Sequence, residues 1–458
     1  MCWGSGIGVH FPPALFIAIM TDSEVSWYRN RSFLHFDSPI SLENAQAIVT
    51  PESVRSHAFL PFIYFEKKIS RKQREEAKVN PQDKRKVRLI MYASHWDSHI
   101  YSFYAYKIQK LYEERVEYYC SESIIAYRRL GKTNIHFAKD VFEYIKERRV
   151  GVAIAKDVKK FFGNLRHDIL KWQWQSLLNL PSLPDDHYRV FKSLTRFSFI
   201  RKDEIFPHRE PSDYRRILSI QEMRSLIRSG DIVPEFNGER SANGGIKWKT
   251  FGLPPGAPIC ALLSNIYMLD FDMLLTRKAN EKNALYRRYC DDILLVCAEN
   301  DCKFFKSLIR QSLNRLGLCD NPQKEIISRF SQENGVIVVS PPLQYLGFEY
   351  DGTKVTLRSK TIAQHKIKAI RCIRQELKFA KQQGLSRIRR KRIFSWFSHL
   401  RNMIPMDKDN QCGQRNFQTY VNHAAKIFGS EAIHRQMRKH WAWLCKQINK
   451  ADDELTQN

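Results

Sequence analysis

The sequence predicts a mixed α/β protein whose C-terminal part is helical and basic. Three observations support this fold class. Up to about residue 350, short apolar runs typical of strands alternate with longer segments whose apolar residues follow a helical period. Two of the short runs end in acidic residues, one at Asp157 and the other at Asp291 and Asp292. From Lys360 onward, apolar residues at helical spacing are surrounded by Lys and Arg.

The N-terminal region mixes aromatic with basic segments. Residues 1–20 contain a short apolar stretch that includes two prolines and lacks a basic segment before it, which makes a poor signal peptide. We expect a dispensable extension, with Met20 as the natural start. Residues 67–88 are charge-dense and are expected to form a solvated hairpin or loop. Residues 98–119 predict a helix whose inward face is formed by Ile100, Phe103, Tyr104 and Ile108.

The middle of the chain places acidic residues at the ends of predicted strands. Residues 151–157 (GVAIAKD) are typical of a buried strand that ends near Asp157. Residues 285–300 (LYRRYCDDILLVCAEN) predict two short strands joined by a tight turn at Cys290 and Asp291, so the hairpin carries its acids at the tip. The other segments predicted here are an apolar helix from about Ala257, a helix over residues 302–316 and a strand over residues 344–352.

The C-terminal helical region concentrates positive charge. Between Lys360 and Lys450 there are 21 Lys and Arg residues against four acidic ones, a net charge of +17. Its first helix is predicted to bury an apolar stripe formed by Ile367, Ile370, Ile373 and Leu377.

Composition narrows the class of protein. A formal net charge of +27 opposes compaction unless a polyanion neutralises it, which favours a nucleic-acid partner over a merely basic soluble protein. Ten cysteines form no Cys-x-x-Cys pair and no zinc-ligand pattern, so we expect reduced thiols and a cytoplasmic location. No apolar run reaches the length of a membrane span.

The acidic features point to phosphoryl transfer when they are taken together, although either alone is most simply a turn or strand-end aspartate. A carboxylate beside a buried strand is costly unless it binds a cation or is hydrogen-bonded. Asp157, Asp291 and Asp292 supply the oxygen ligands that two Mg²⁺ ions need when they stabilise attacking and leaving oxygens. A donor set without His or Cys favours Mg²⁺ over zinc, and Mn²⁺ is expected to substitute.

Five segments resemble the motifs of reverse transcriptases and follow the order of that family. They are AKDVKKFF (155–162) for motif A, GLPPGAP with LLSNIY (252–267) for motif B, YCDD (289–292) for motif C, NPQK (321–324) for motif D and YLGF (345–348) for the primer grip. The resemblance implies an RNA-directed DNA polymerase with the right-hand fold. Its fingers would be residues 21–150, its palm, an antiparallel sheet plus helices, residues 151–350 with an inserted fingers segment at about 181–250, and its all-α basic thumb residues 351–458.

The resemblance also implies roles for the acidic residues and for the thumb. Asp157 and Asp291 would bind both metal ions, and Asp292 would have a smaller part. The thumb would grip a template–primer duplex through phosphate contacts. The candidate nucleic-acid-binding residues, for which a solvated helix face is the alternative interpretation, are Arg389, Arg390, Lys391 and Arg392.

Three further residues match nucleotide-binding positions of the family. Phe162, five residues after Asp157, would exclude a 2′-OH and so select dNTPs, unless it is a core aromatic. Arg88 would hold the triphosphate through bidentate hydrogen bonds, unless it is an ordinary solvated arginine. Lys324 would lie near the leaving pyrophosphate, and its alternative is a surface lysine.

The chain departs from the family in places. Pro255 stands where many relatives carry a Gln that helps to seat the nucleotide, and the retron-type signatures and a His-Asn-His nuclease segment are absent. Residues 27–31 (WYRNR), 34–37 (LHFD) and 126–132 (AYRRLGK) resemble free-standing bacterial reverse transcriptases of phage defence, particularly the type encoded beside a structured noncoding RNA. This resemblance implies that RNA as template, dNTPs as substrates and an RNA–DNA hybrid as product.

Other functions stay open at this point. A retron-like or group II intron-derived reverse transcriptase shares the palm motifs. An RNA-dependent RNA polymerase shares the Asp-Asp hairpin, although Phe162 disfavours it because an RNA-making enzyme must admit the 2′-OH. A non-catalytic RNA-binding scaffold has no need for three clustered acids in a basic protein.

Overall fold

A computed structural model describes residues 26–67, 88–208, 216–241, 243–400 and 416–456. The prediction for residues 1–20 lies outside these residues. So does the prediction for the charge-dense segment, apart from its two end residues, 67 and 88. No helix of the described part of the chain is long and apolar enough to cross a membrane.

The α-helices are numbered in chain order. They are α1 Leu42–Ile48, α2 Pro51–Ser56, α3 His95–Cys120, α4 Asn134–Arg148, α5 Phe161–Asn164, α6 His167–Leu178, α7 Asp185–Thr195, α8 Lys202–Ile205, α9 Ile220–Ser229, α10 Cys260–Tyr267, α11 Leu269–Glu281, α12 Cys302–Arg315, α13 Ser359–Gln382, α14 Arg390–Phe397, α15 Phe417–Phe428, α16 Glu431–Met437 and α17 His440–Thr456.

The strands alternate with these helices, so the fold is mixed α/β. They are β1 Phe62–Lys67, β2 Arg88–Tyr92, β3 Gly151–Asp157, β4 Ser198–Arg201, β5 Glu235–Phe236, β6 Gly238–Arg240, β7 Ile246–Trp248, β8 Leu285–Tyr289, β9 Asp292–Cys297, β10 Ile326–Glu333, β11 Val336–Ser340, β12 Leu343–Tyr345, β13 Phe348–Tyr350 and β14 Val355–Leu357.

The chain divides into two compact units. The first unit comprises the described residues within the ranges 1–111 and 178–260. Its main sheet has the order β2-β1-β4-β5, in which β1 runs parallel to β4 and antiparallel to β2. Ile63 of β1, Ile200 of β4 and Met223 of α9 pack into its core.

The second unit comprises the described residues within the ranges 112–177 and 261–458. Its antiparallel sheet has the order β11-β10-β3-β9-β8, and a smaller sheet has the order β12-β13-β14. One apolar core joins both sheets to helices α4, α15 and α16. A second core packs α13, α14 and α17 together through residues such as Ile373, Ile393 and Leu444.

Most predicted elements of the second unit are confirmed, including the strand that ends at Asp157, the acidic hairpin and the helix from Cys302. The strand predicted over residues 344–352 is wrong in detail. It is a β12-β13 hairpin, because Leu346 and Gly347 both have positive φ and reverse the chain.

The predicted apolar stripe of α13 is also wrong in part. Ile367 is exposed, whereas the buried face includes His365, Ala369, Cys372, Glu376 and Ala380. These positions recur at intervals of three or four residues, which confirms the helical period. Ile373 is buried as predicted, whereas Ile370 and Leu377 are half-buried, so the buried face is rotated from the predicted stripe. The sequence pattern did not predict this face because Glu376 lies on it, and polar residues are expected on the exposed side of a helix. The fingers, palm and thumb boundaries are a functional division that this grouping does not test, and they stay a prediction.

Candidate active site

Asp157 and Asp292 face each other at one end of the five-stranded sheet. They are register partners in the pairing of β3 with β9, and Asp157 ends its strand where Asp292 begins the other. Side chains of directly opposed residues share one face of a sheet, with Cβ atoms about 4.5–5.5 Å apart. The fold therefore brings these two predicted carboxylates together.

Asp291 lies next to this pair, on the two-residue turn between β8 and β9. Cys290 makes the turn possible by adopting a positive φ of 59°. The Asp291 carbonyl accepts a hydrogen bond from the Val158 N–H at 3.0 Å, which ties the turn to the residue after Asp157. All three predicted carboxylates thus lie on adjoining segments of backbone.

The Asp292 carboxyl shows how unfavourable this concentration of negative charge is. Its side chain reaches solvent, but desolvation by surrounding protein atoms raises its pKa, and the charges of Asp291 and Asp157 raise it further, to about 6. Lys324 and Arg358 act in the opposite direction. A cation bound among the carboxylates would relieve this repulsion.

The buried Arg288 holds the turn that carries Asp291. The Arg288 guanidinium is fully buried and donates to both carboxylate oxygens of Asp272, at 2.7 and 2.5 Å. Its remaining donors reach the Asn265 side-chain oxygen at 3.2 Å and the Cys290 carbonyl at 3.0 Å. Burial alone would lower the pKa of Arg288, but the Asp272 carboxylate outweighs it and raises that pKa. The arginine therefore stays charged and holds the turn.

Residues 123–127 hold the hairpin from its outer edge. The Arg288 N–H donates to the Ser123 carbonyl at 2.7 Å, and the Ile125 N–H donates to the Arg288 carbonyl at 3.1 Å. The Tyr127 hydroxyl donates to the Cys290 Sγ at 3.3 Å. Burial of the Cys290 thiol raises its pKa to about 11, so it is a packed neutral group at this position.

Lys324 approaches the carboxylates from a separate loop. It lies in the short 3-10 turn Pro322–Lys324, and its ammonium forms an ion pair with the Asp157 carboxylate. The Asn321 N–H donates to the Asp157 carbonyl at 2.8 Å, so backbone and side chain both join this loop to the end of β3. The structure thus brings Lys324 together with the predicted acids.

The residues that could hold divalent metal ions here are Asp157, Asp291 and Asp292. Their oxygen donors suit Mg²⁺, and the charges of Asp291 and Asp157 add to the effect of desolvation in raising the pKa of Asp292. Within the described residues, no group of three or more His, Cys, Asp or Glu side chains is arranged so that it could hold a metal ion, so the aspartates would have to rearrange to bind one together. The Lys324 ammonium pairs with Oδ1 of Asp157, so it would compete with a bound cation for that oxygen.

The two aromatic residues after β3 divide into a buried one and an accessible one. Phe161 is buried in the core, whereas Phe162 is half-buried, and their ring centroids are 5.5 Å apart. Phe162 therefore keeps part of its ring accessible, and its role in nucleotide selection stays a prediction. Arg88 begins β2 in the first unit, and its side chain lies outside the described residues.

The basic cluster at the start of α14 has partners within the helical region. Arg389 and Arg392 pair with the buried Glu376 carboxylate at 2.8 and 3.5 Å, and Arg390 pairs with Asp452 at 2.5 Å. These arginines neutralise carboxylates that would otherwise be buried unpaired. Of the predicted nucleic-acid-binding residues, Lys391 is the exposed one for which the described residues offer no ion pair.

No protein-family profile and no curated protein matches this chain. Solved structures of yeast telomerase are similar to it. Telomerase from Candida albicans with a fragment of telomeric RNA has 11% identity and a TM-score of 0.39, over 87% of this chain and 56% of that one. Apo telomerase from Candida tropicalis has 12% identity and a TM-score of 0.37, over 79% and 57%. The chain thus spans little more than half the length of these structures.

Proposed function

We propose that this chain is an RNA-directed DNA polymerase that binds two divalent metal ions through Asp157, Asp291 and Asp292. The observation that carries the proposal is the register pairing of Asp157 with Asp292, with Asp291 on the adjoining turn. Three carboxylates gathered at one end of the sheet are costly in an otherwise basic chain unless cations bind them. Metal-dependent phosphoryl transfer gives this arrangement a use.

The metal ions, when bound, would stabilise the attacking and leaving oxygens of nucleotidyl transfer. The chain's own residues would position Asp291 and neutralise charge on the leaving group. The buried Arg288 holds the Cys290 carbonyl and so keeps Asp291 at the hairpin tip. The Lys324 ammonium, released from Asp157, would lie close enough to neutralise charge on the leaving pyrophosphate.

Phe162 supports DNA rather than RNA as product. An accessible aromatic ring at the first helical turn after Asp157 can block a ribose 2′-OH, whereas a ring packed in the core cannot. Phe161 takes the core position, which leaves Phe162 available. This is the observation that favours a reverse transcriptase over an RNA-dependent RNA polymerase.

An exposed basic stripe on α13 supports nucleic-acid binding by the helical region. Its members point to solvent on one long helix and have no ion pair within the described residues; they are Lys368, Arg371, Arg374, Lys378 and Lys381. At 1.5 Å per residue the stripe spans about 20 Å, which is enough to follow several phosphates of a duplex. We therefore assign the phosphate contacts to this stripe rather than to the arginines that already pair with Glu376 and Asp452.

The natural template is proposed to be a structured noncoding RNA, and the biological role is proposed to be phage defence. The motivation is the resemblance of residues 27–31, 34–37 and 126–132 to that group, together with the net charge of +17 between Lys360 and Lys450. Sequencing the RNA and DNA that copurify with the chain should yield one dominant RNA and its complementary DNA. A random sample of cellular RNA would contradict this part of the proposal.

Primer extension tests the activity itself. The purified chain should incorporate dNTPs on an annealed RNA template in the presence of Mg²⁺ or Mn²⁺, and EDTA should abolish the reaction. Parallel reactions with rNTPs separate the alternatives, because preferred incorporation of rNTPs would indicate an RNA-dependent RNA polymerase. RNA binding without incorporation of either kind of nucleotide would indicate a scaffold.

A further inference from the structure

Lys156 is a buried lysine directly before the first metal-binding candidate. Its side chain is 1% exposed, and lysine is rarely buried to this extent unless it is paired. Successive side chains of a strand point to opposite faces, so Lys156 points away from the face that carries Asp157. It therefore cannot serve the carboxylate cluster directly, and its use must lie on the other side of the sheet.

The Lys156 ammonium binds both ends of the loop that carries Lys324. It forms ion pairs with Asp320, which lies just before that loop's turn, and with Glu325 at 3.3 Å, which lies just after it. Burial raises the pKa of Asp320, but the bond from Lys156 outweighs burial and leaves that pKa below its usual range. Lys306 binds Glu325 as well, at 3.1 Å.

Backbone hydrogen bonds run alongside these ion pairs. The Lys159 N–H donates to the Cys319 carbonyl at 2.9 Å, the Asn321 N–H donates to the Asp157 carbonyl at 2.8 Å, and Val158 and Asp320 form a β-bridge. The loop is thus held in one register against the end of β3. The ion pairs add a side-chain contact from Lys156 to each end of the same loop.

We propose that Lys156 is a positioning residue that fixes the Asp320–Glu325 loop and thereby sets the Lys324 ammonium at the carboxylate cluster. The inference rests on the proposed polymerase function. Stability alone is a poor reason for this arrangement, since a buried ion pair is often no more stabilising than apolar residues of similar volume. An ammonium that binds both ends of one turn instead gives that turn a single position.

Hydrogen exchange tests the mechanical part without any activity. Lys156→Met should speed exchange of the Lys159 and Asn321 amides by about tenfold or more, because both amides close the contact between loop and strand. The Arg288 amide, which donates to Ser123 in the same unit, should keep its rate. A matched control is Lys282→Met, which removes a surface ion pair with Asp301.

A second variant covers the case in which Lys156→Met does not fold. Lys156→Met combined with Asp320→Asn removes the carboxylate that the first change leaves buried and unpaired. This double variant should fold and should still show fast exchange at Lys159 and Asn321. Unchanged exchange at both amides in a folded variant would overturn the proposal.

Kinetics tests the catalytic part. Lys156→Met should lower kcat for dNTP incorporation by about tenfold or more with little change in KM, as loss of Lys324 itself should. Lys156→Met added to Lys324→Ala should cause little further loss, because both act through one ammonium, and Lys156→Arg should restore most activity. Independent, multiplicative losses would show that Lys156 has only a structural role.

The outcomes separate this inference from the function on which it rests. A wild-type chain that incorporates no nucleotide overturns the proposed function and the catalytic part of the inference, while hydrogen exchange still decides whether Lys156 holds the loop. An active wild type in which the losses from Lys156→Met and Lys324→Ala multiply independently in kcat overturns the inference alone.

Discussion

Replacing Asp272 by Asn tests the account of the acidic turn without reference to activity. Asp272→Asn keeps the shape of the side chain but removes the charge that Arg288 needs. The guanidinium is 0% exposed and would keep only neutral acceptors, at Asn265, at the Cys290 carbonyl and at the new amide oxygen. Water cannot reach it to compensate.

The expected magnitude follows from that burial. Breaking a buried ion pair by removing one partner costs about 3–5 kcal/mol, and because the amide retains one acceptor we expect a loss of about 3 kcal/mol in the free energy of unfolding. That is a large share of a typical total of about 5–15 kcal/mol. Removing both charges, with Asp272→Leu and Arg288→Met, should cost less than the two single changes added together.

Urea unfolding followed by circular dichroism gives these free energies. The matched control is Asp140→Asn, which removes a surface ion pair with Lys132 and should cost less than about 1 kcal/mol. A loss below about 1 kcal/mol in Asp272→Asn would refute the reasoning, because it would mean that Arg288 is not held as a buried charge. Additive losses in the double variant would refute the pairing.

Three further predictions follow. Burial lowers the pKa of His35 to about 4 from an ordinary 6.5, so the unfolded chain takes up a proton first as the pH falls. The free energy of unfolding should therefore decrease by about 3 kcal/mol between pH 6.5 and pH 4. His35→Gln should flatten this pH dependence in urea titrations. Gly256→Ala should cost about 2–4 kcal/mol of unfolding free energy, since φ is +121° and the new Cβ would lie 2.1 Å from the Met91 carbonyl oxygen, whereas Gly131→Ala, with open space around it, should cost about 1. Phe162→Ala should raise incorporation of rNTPs relative to dNTPs in competition assays.

Each of these has a result that contradicts it. An equal pH slope in wild type and His35→Gln would place the acid sensitivity elsewhere. Equal losses in the two glycine variants would show that contact with Met91 is not what requires glycine at residue 256. An unchanged ratio of rNTP to dNTP incorporation would make Phe162 a packing residue only.

The strands and the acidic turn could be predicted because local pattern determines them. The alternating run that ends at Asp157 and the hairpin around Cys290 and Asp291 each carry their signal within a few neighbouring residues. Predicting that these strands pair required the order of the motifs as well, since periodicity does not show which strands are neighbours. The structure places Asp157 opposite Asp292 through a register that no local pattern reveals.

The supporting charges could not be predicted, because they are partners across long stretches of sequence. Lys156 and Asp320 are 164 residues apart, and a lysine in a basic chain looks like solvated surface. Arg288 gives no clearer local signal, because its burial on β8 is seen only in the structure. The buried Glu376 of α13 shows the same effect, because its partners Arg389 and Arg392 lie beyond the end of that helix.

The central claim is tested most directly by Asp291→Asn in primer extension on an RNA template. The account predicts a loss of about 100-fold or more in dNTP incorporation, with the circular dichroism spectrum and the affinity for RNA unchanged, because a metal ligand is lost and no core contact is. Asp140→Asn should retain wild-type activity. If Asp291→Asn extended the primer at a rate close to that of wild type, the carboxylate cluster would not be the catalytic site.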